Sequence, residues 1–150
     1  MSKKNRILLG FRVAAFNDIT HDDITEMTGN GPIKIFIKGE KRTRPSIQKQ
    51  NIWIMDNGCS PYDNFETQLD AMLDIIESKA DVFKLLTTKY ECDFSCGLYL
   101  YSDNNESAPS VNLTYRYHKI IRELELNLSF DIDIIRLADS TGMDINDILS

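Results

Sequence analysis

Residues 20–44 read THDDITEMTGNGPIKIFIKGEKRTR, and this stretch decides the fold class. Thr20 is a good N-cap, and Asp23, three positions on, completes a capping-box pattern for a short helix through Met27. Gly29 supplies the left-handed stop that ends helices, and Asn30-Gly31-Pro32 turns the chain. Ile33, Ile35 and Ile37 then alternate with Lys34, Phe36 and Lys38, the period-two pattern of a strand. Residues 39–45 are too charged for a core and read as a solvated loop. A helix feeding a strand in so short a span predicts mixed α+β architecture.

Working outward, residues 6–16 form a strand pattern, with Ile7, Leu9, Phe11, Val13 and Ala15 on one face and Gly10 and Arg12 on the other. Residues 51–56 make a third strand around Trp53, the single tryptophan. Phe65, Leu69, Met72, Leu73 and Ile76 share one helical stripe capped by Asp63 or Asn64, and the phase restarts near residues 78–81. Residues 92–101 alternate cleanly, with Cys92, Phe94, Cys96, Leu98 and Leu100 opposite Asp93, Ser95, Gly97, Tyr99 and Tyr101. A helix capped at Thr114 buries Tyr117, Ile120, Ile121 and Leu124, and Leu128, Phe130, Ile132 and Ile134 form the last strand. The tail from Arg136 is broken at Gly142, with a helical turn expected from Asp144.

The resulting order is β-α-β-β-α(α)-β-α-β. Its first six elements predict a ferredoxin-like β-α-β-β-α-β core on a mainly antiparallel sheet, with an added C-terminal α-β unit. At 150 residues the chain is expected to be one domain, long enough to bury a core without staples.

Laid out this way, the chain resembles an uncharacterised bacterial family, domain-of-unknown-function family 4279. The resemblance lies in His21-Asp22-Asp23-Ile24-Thr25 followed by Gly29, Pro32 and Lys38-Gly39-Glu40, then the Trp53 strand, the helix over 65–76, and Leu128-Ser129-Phe130-Asp131-Ile132-Asp133. It covers about residues 5–135 and leaves 136–150 as a tail. Ile134-Ile135 follow the closing aspartate, where a tyrosine is usual in the family. The resemblance implies an α+β fold and no activity.

Composition narrows function more than motifs do. The formal net charge of −6 disfavours attraction to a phosphate backbone. No stretch approaches the ~20 apolar residues of a membrane span, and the opening segment lacks the long apolar run of a signal peptide. A cytoplasmic location is expected. Three cysteines, Cys59, Cys92 and Cys96, make a poor disulfide framework. Cys92 and Cys96 share an apolar strand face and read as core, so no metal and no cofactor is expected. No serine or cysteine sits in a nucleophile context, and no catalytic residue is assigned.

Three groups remain as candidate binding residues. His21 beside Asp22 and Asp23 has the makings of an acid–base cluster, although acidic residues also suit a helix start. Asp131 and Asp133 share a strand face, close enough to share a cation or perturb one another. Lys38, Lys41, Arg42 and Arg44 crowd the loop over 38–44, with Trp53 downstream, a combination suited to phosphate and stacked bases. The leading expectation is a non-enzymatic module that binds another protein, with a toxin-neutralising immunity role as one version. The alternatives are a small-molecule-binding or hydrolytic pocket joining Trp53, His21 and Asp131/Asp133, and nucleic-acid binding by the basic loop.

Overall fold

A computed structural model describes residues 3–41, 46–102 and 104–137. Strand β1 spans Arg6–Ala14, helix α1 His21–Thr28, β2 Lys34–Phe36, β3 Ile52–Asp56, α2 Phe65–Ser78, α3 Ala80–Lys89, β4 Glu91–Tyr101, α4 Tyr115–Glu123 and β5 Ser129–Leu137. The element order is the one the apolar spacing predicts. The ends differ by a few residues: β1 stops at Ala14 rather than Phe16, because Ala15 takes a positive φ. β2 is trimmed to three residues at the sheet edge.

The helix starts are set locally. Thr20 Oγ1 accepts from Asp23 N–H at 3.0 Å while Asp23 Oδ2 accepts from Thr20 N–H at 2.8 Å, the reciprocal pair of a capping box. Asn64 caps α2 by accepting from Thr67 N–H at 2.8 Å, and Thr114 caps α4. On the surface, Arg116 of α4 reaches Asp74 and Glu77 of α2, each at 2.6 Å, and so pins the two helices together.

The strands lie in the order β2-β3-β1-β4-β5. β1 and β3 are central neighbours with β2 and β4 outside them, and all three of these pairings are antiparallel. This is the ferredoxin-like arrangement. α4 and β5 then extend the sheet beyond β4, and β5 runs parallel to β4, as a strand returning through a helix does.

Strand alternation divides the sheet into two unlike faces. One face carries Leu9, Phe11, Val13, Trp53, Met55, Phe94 and Cys96, which form the core with Ile24, Phe65, Leu69, Met72, Phe83 and Tyr117 of the helices. Aromatic rings knit this layer edge to face, with Phe11 5.2 Å from Phe83 and 5.9 Å from Phe94. The other face has no helix over it among the described residues. It bears Leu8, Gly10 and Arg12 of β1, Ile54 and Asp56 of β3, Ser95, Gly97 and Tyr99 of β4, and Asp131, Asp133 and Ile135 of β5. Tyr99, Tyr101 and Leu137 form a small second cluster there with Leu8 and Ile135.

Candidate functional site on the open sheet face

The open face becomes concave where β3 ends. β3 stops at Asp56 opposite Gly10, while β1 continues back to Arg6, so the main chain of Ile7 and Leu9 has lost its strand partner on that side. Side chains replace the missing strand. Gln68 Oε1 accepts from Leu9 N–H at 3.3 Å and Gln68 Nε2 donates to Ile7 O at 2.9 Å. Asn57 Nδ2 donates to Leu9 O at 2.9 Å and to Gln68 Oε1 at 3.0 Å, and Ile7 N–H finds Pro61 O. Because these partners are short, the strand edge is satisfied without being built up, and a hollow remains.

Two glycines form the floor of that hollow. A Cβ on Gly10 would sit 3.0 Å from Met55 O, and one on Gly97 would sit 2.8 Å from the Tyr99 ring. Gly97 therefore lets Tyr99 lie flat across the strand, where it is fully buried. The concavity has a volume of about 320 Å³. Leu8, Ile54 and Ile135 wall it, Ser95 sits on its floor, and Asp56, Asp133 and Lys34 stand at its sides. Its centre is apolar and two of its three charged residues are acidic.

The residues singled out in the sequence do not meet here. Trp53 is 0% exposed on the helix-covered face, and its indole N–H donates to Thr25 Oγ1 of α1 at 3.1 Å. His21 lies on the same side, its Nε2 2.9 Å from Phe36 O and its ring edge-on to Phe16. Asp131 and Asp133 are exposed on the opposite face. A pocket joining all four is not formed, because alternation sends Trp53 and the two aspartates to opposite sides of the sheet. Only Asp133 lines the concavity.

Lys38 and Lys41 are exposed on a hairpin between β2 and β3, closed by a bridge between Lys41 and Ile47. Arg42 and Arg44 lie outside the described residues, as do Gly142 and the turn expected from Asp144. With Trp53 in the core, this hairpin has no indole on which a base can stack.

The chain matches the family described as Domain of unknown function (DUF4279) over residues 6–134. It belongs to that family. No curated protein and no solved structure matches it. The DUF4279 span runs from β1 into β5 and takes in the whole floor of the concavity.

Beside the concavity this DUF4279 chain holds a charged cluster of which the sequence singled out only Asp131. Arg12 grips Asp93 with two hydrogen bonds of 3.1 and 2.6 Å. Burial pushes the Asp93 carboxyl above its ordinary value, Arg12 pulls it down, and a hydrogen bond with Asp131 pushes it up again. Asp131 lies on β5 opposite Ser95 of β4, so it acts on Asp93 from the neighbouring strand. A carboxyl raised in the folded state adds stability below its ordinary range, and that contribution is lost as pH rises through the folded value. Replacing Asp131 with asparagine removes the opposing carboxylate. An NMR titration of Asp93 will then fall back toward the ordinary range, and an unchanged curve would assign the whole rise to burial.

The thiols divide in a similar way. Burial pushes Cys92 up to about 12 and Cys96 up to about 11, as expected of strand residues packed in the core. Cys59 is also raised, by burial first and then by Asp63 and Asp56, but it is partly exposed at the concavity. Alkylation of the folded protein near pH ~8 will mark Cys59 slowly and leave the other two intact. Mass mapping that finds Cys92 or Cys96 modified first would contradict this packing.

Sequence reasoning missed Gln68 and Asn57 for different reasons. Gln68 follows Phe65 by three positions, inside the buried stripe of α2, and a polar residue at such a position was the available signal. Asn57 precedes Gly58 and reads as turn chemistry, which hides its second role. The pairing of Gly10 with Ser95, and of Ser95 with Asp131, depends on strand order and register and has no local signal.

Proposed function

We propose that this chain is a non-enzymatic binding module for another protein, with the open sheet face as its receiving surface. The observation that carries this reading is the concavity walled by Leu8, Ile54 and Ile135 and flanked by Asp56 and Asp133. An apolar hollow with carboxylates at its sides suits a lysine or arginine, whose aliphatic stem packs while its head pairs. The net charge of −6 favours encounter with a basic partner. A toxin-neutralising immunity role, acting in the cytoplasm, is the version in which that partner is a basic toxin.

The hollow sits at the low end of the ~300–1,000 Å³ typical of small-molecule pockets. No histidine lines it to activate Cys59, so hydrolysis is less well supported than binding.

Affinity isolation from native cells tests the reading, using the wild-type chain and a Ser95→Trp variant whose indole fills the floor. A basic protein recovered in stoichiometric amount with wild type and lost with Ser95→Trp is the expected result. Asp133→Lys reverses an exposed charge and provides the same comparison if the tryptophan disturbs folding. Recovery of the chain alone, or a partner retained by both variants, would overturn the reading.

A further inference from the structure

Among the described residues β5 is the outermost strand of the sheet, paired on one side only, and it is nine residues long. Ser102 N–H donates to Leu137 O at 3.0 Å, which turns the Leu137 carbonyl toward β4. By strand alternation the main chain of Asp131, Asp133 and Ile135 also faces β4, and the N–H and C=O groups of Ile132, Ile134 and Arg136 face outward. These three residues are exposed, Ile132 at 45% and Ile134 at 57%. Among the described residues the edge thus offers unpaired donors and acceptors, apolar side chains on one face, and Asp131 and Asp133 on the other. Asp133 has no ion-pair partner among the described residues, whereas Asp131 also faces the Arg12–Asp93 pair.

Long edges with exposed isoleucine are sites where another strand adds. The charges select which strand. A second copy adding antiparallel about a two-fold axis at Ile132 would set Asp131 against the second copy's Asp133, and like charges directly opposed are destabilising. An axis at Ile134 would leave Asp133 opposite Ile135, with no basic residue to pair it. We propose that β5 accepts an extended segment of a partner protein in which lysine or arginine alternates with apolar residues. The basic side chains lie beside Asp131 and Asp133, and the apolar ones continue the row of Ile132 and Ile134. This deepens the protein-binding reading above and rests on it.

The test uses the full chain and a short peptide alternating lysine with valine, compared with a counterpart carrying glutamate for lysine. Amide exchange followed by NMR is expected to slow at Ile132, Ile134 and Arg136 with the lysine peptide only. Ile134→Pro removes an outward N–H while leaving the β4 ladder intact. It should weaken binding about tenfold, the effect of one or two main-chain hydrogen bonds. If that variant does not fold, the double change D131K and D133K should switch preference to the glutamate peptide.

Protection elsewhere, no protection, or equal binding by the altered edge would overturn strand addition. Ile134 does not line the concavity, so a native partner kept by Ile134→Pro and lost with Ser95→Trp would keep the binding reading while ending this one.

Discussion

Replacing Gln68 with leucine will lower the midpoint of thermal unfolding by on the order of 10 °C. Gln68 is 1% exposed, and its amide ties strand β1 to the loop between β3 and α2. Its Oε1 accepts from Leu9 N–H and Asn57 Nδ2, and its Nε2 donates to Ile7 O, to Asp63 O at 3.0 Å and to Ser60 O at 3.4 Å. Leucine matches the volume but leaves the Leu9 donor and several carbonyls without partners in a buried site. Each orphaned buried group costs about 1–3 kcal/mol, with donors at the upper end. Some of the carbonyls will recover water, so a total of about 3–5 kcal/mol is expected. In a chain of this length each kcal/mol moves the midpoint by ~2–4 °C. Calorimetry or urea titration gives the number directly. A loss below ~1 kcal/mol would mean that water replaces the amide freely and that this end of the sheet is open to solvent.

Trp53→Ala is the second large effect, also about 3–5 kcal/mol, from the cavity left by the largest fully buried side chain and the loss of its bond to Thr25. It separates two roles for the residue. A surface indole used for binding would lose affinity on truncation and keep stability. A core indole does the reverse. As the chain has one tryptophan, its fluorescence reports the same point without mutation. Emission should be blue-shifted and resist quenching by iodide in the folded state, and shift red on unfolding. Ready quenching of the native signal would place the indole at the surface and contradict its burial beneath α1.

The two residues also show what a single sequence can reveal. Helices and strands were legible because their apolar residues repeat with the right period and because Thr20, Asn64 and Thr114 mark starts through local chemistry. Even the ferredoxin-like order followed from the succession of elements, since few topologies suit it. Trp53 misled because its strand is apolar on both faces, so its neighbours did not say which side the helices cover. The concavity was hidden for a stronger reason. It exists where β3 ends short of β1, and which glycine lies over which strand is decided by register across more than eighty residues of chain. His21 was readable as a helix-start residue, whereas the nearness of Asp131 to Asp93 was not, because it arises between adjacent strands.

The central position of β1 also has a consequence for synthesis. This strand emerges first, yet one of its neighbours is β4, with Arg6 opposite Tyr99 and Val13 opposite Cys92. On the ribosome, at ~5–20 residues per second, several seconds pass between the release of β1 and that of β4. During that interval Leu9, Phe11, Val13 and Phe16 have only part of their final cover. A nascent chain arrested before residue 91 should therefore present an apolar strand to holding chaperones, and release from them should coincide with the emergence of β4.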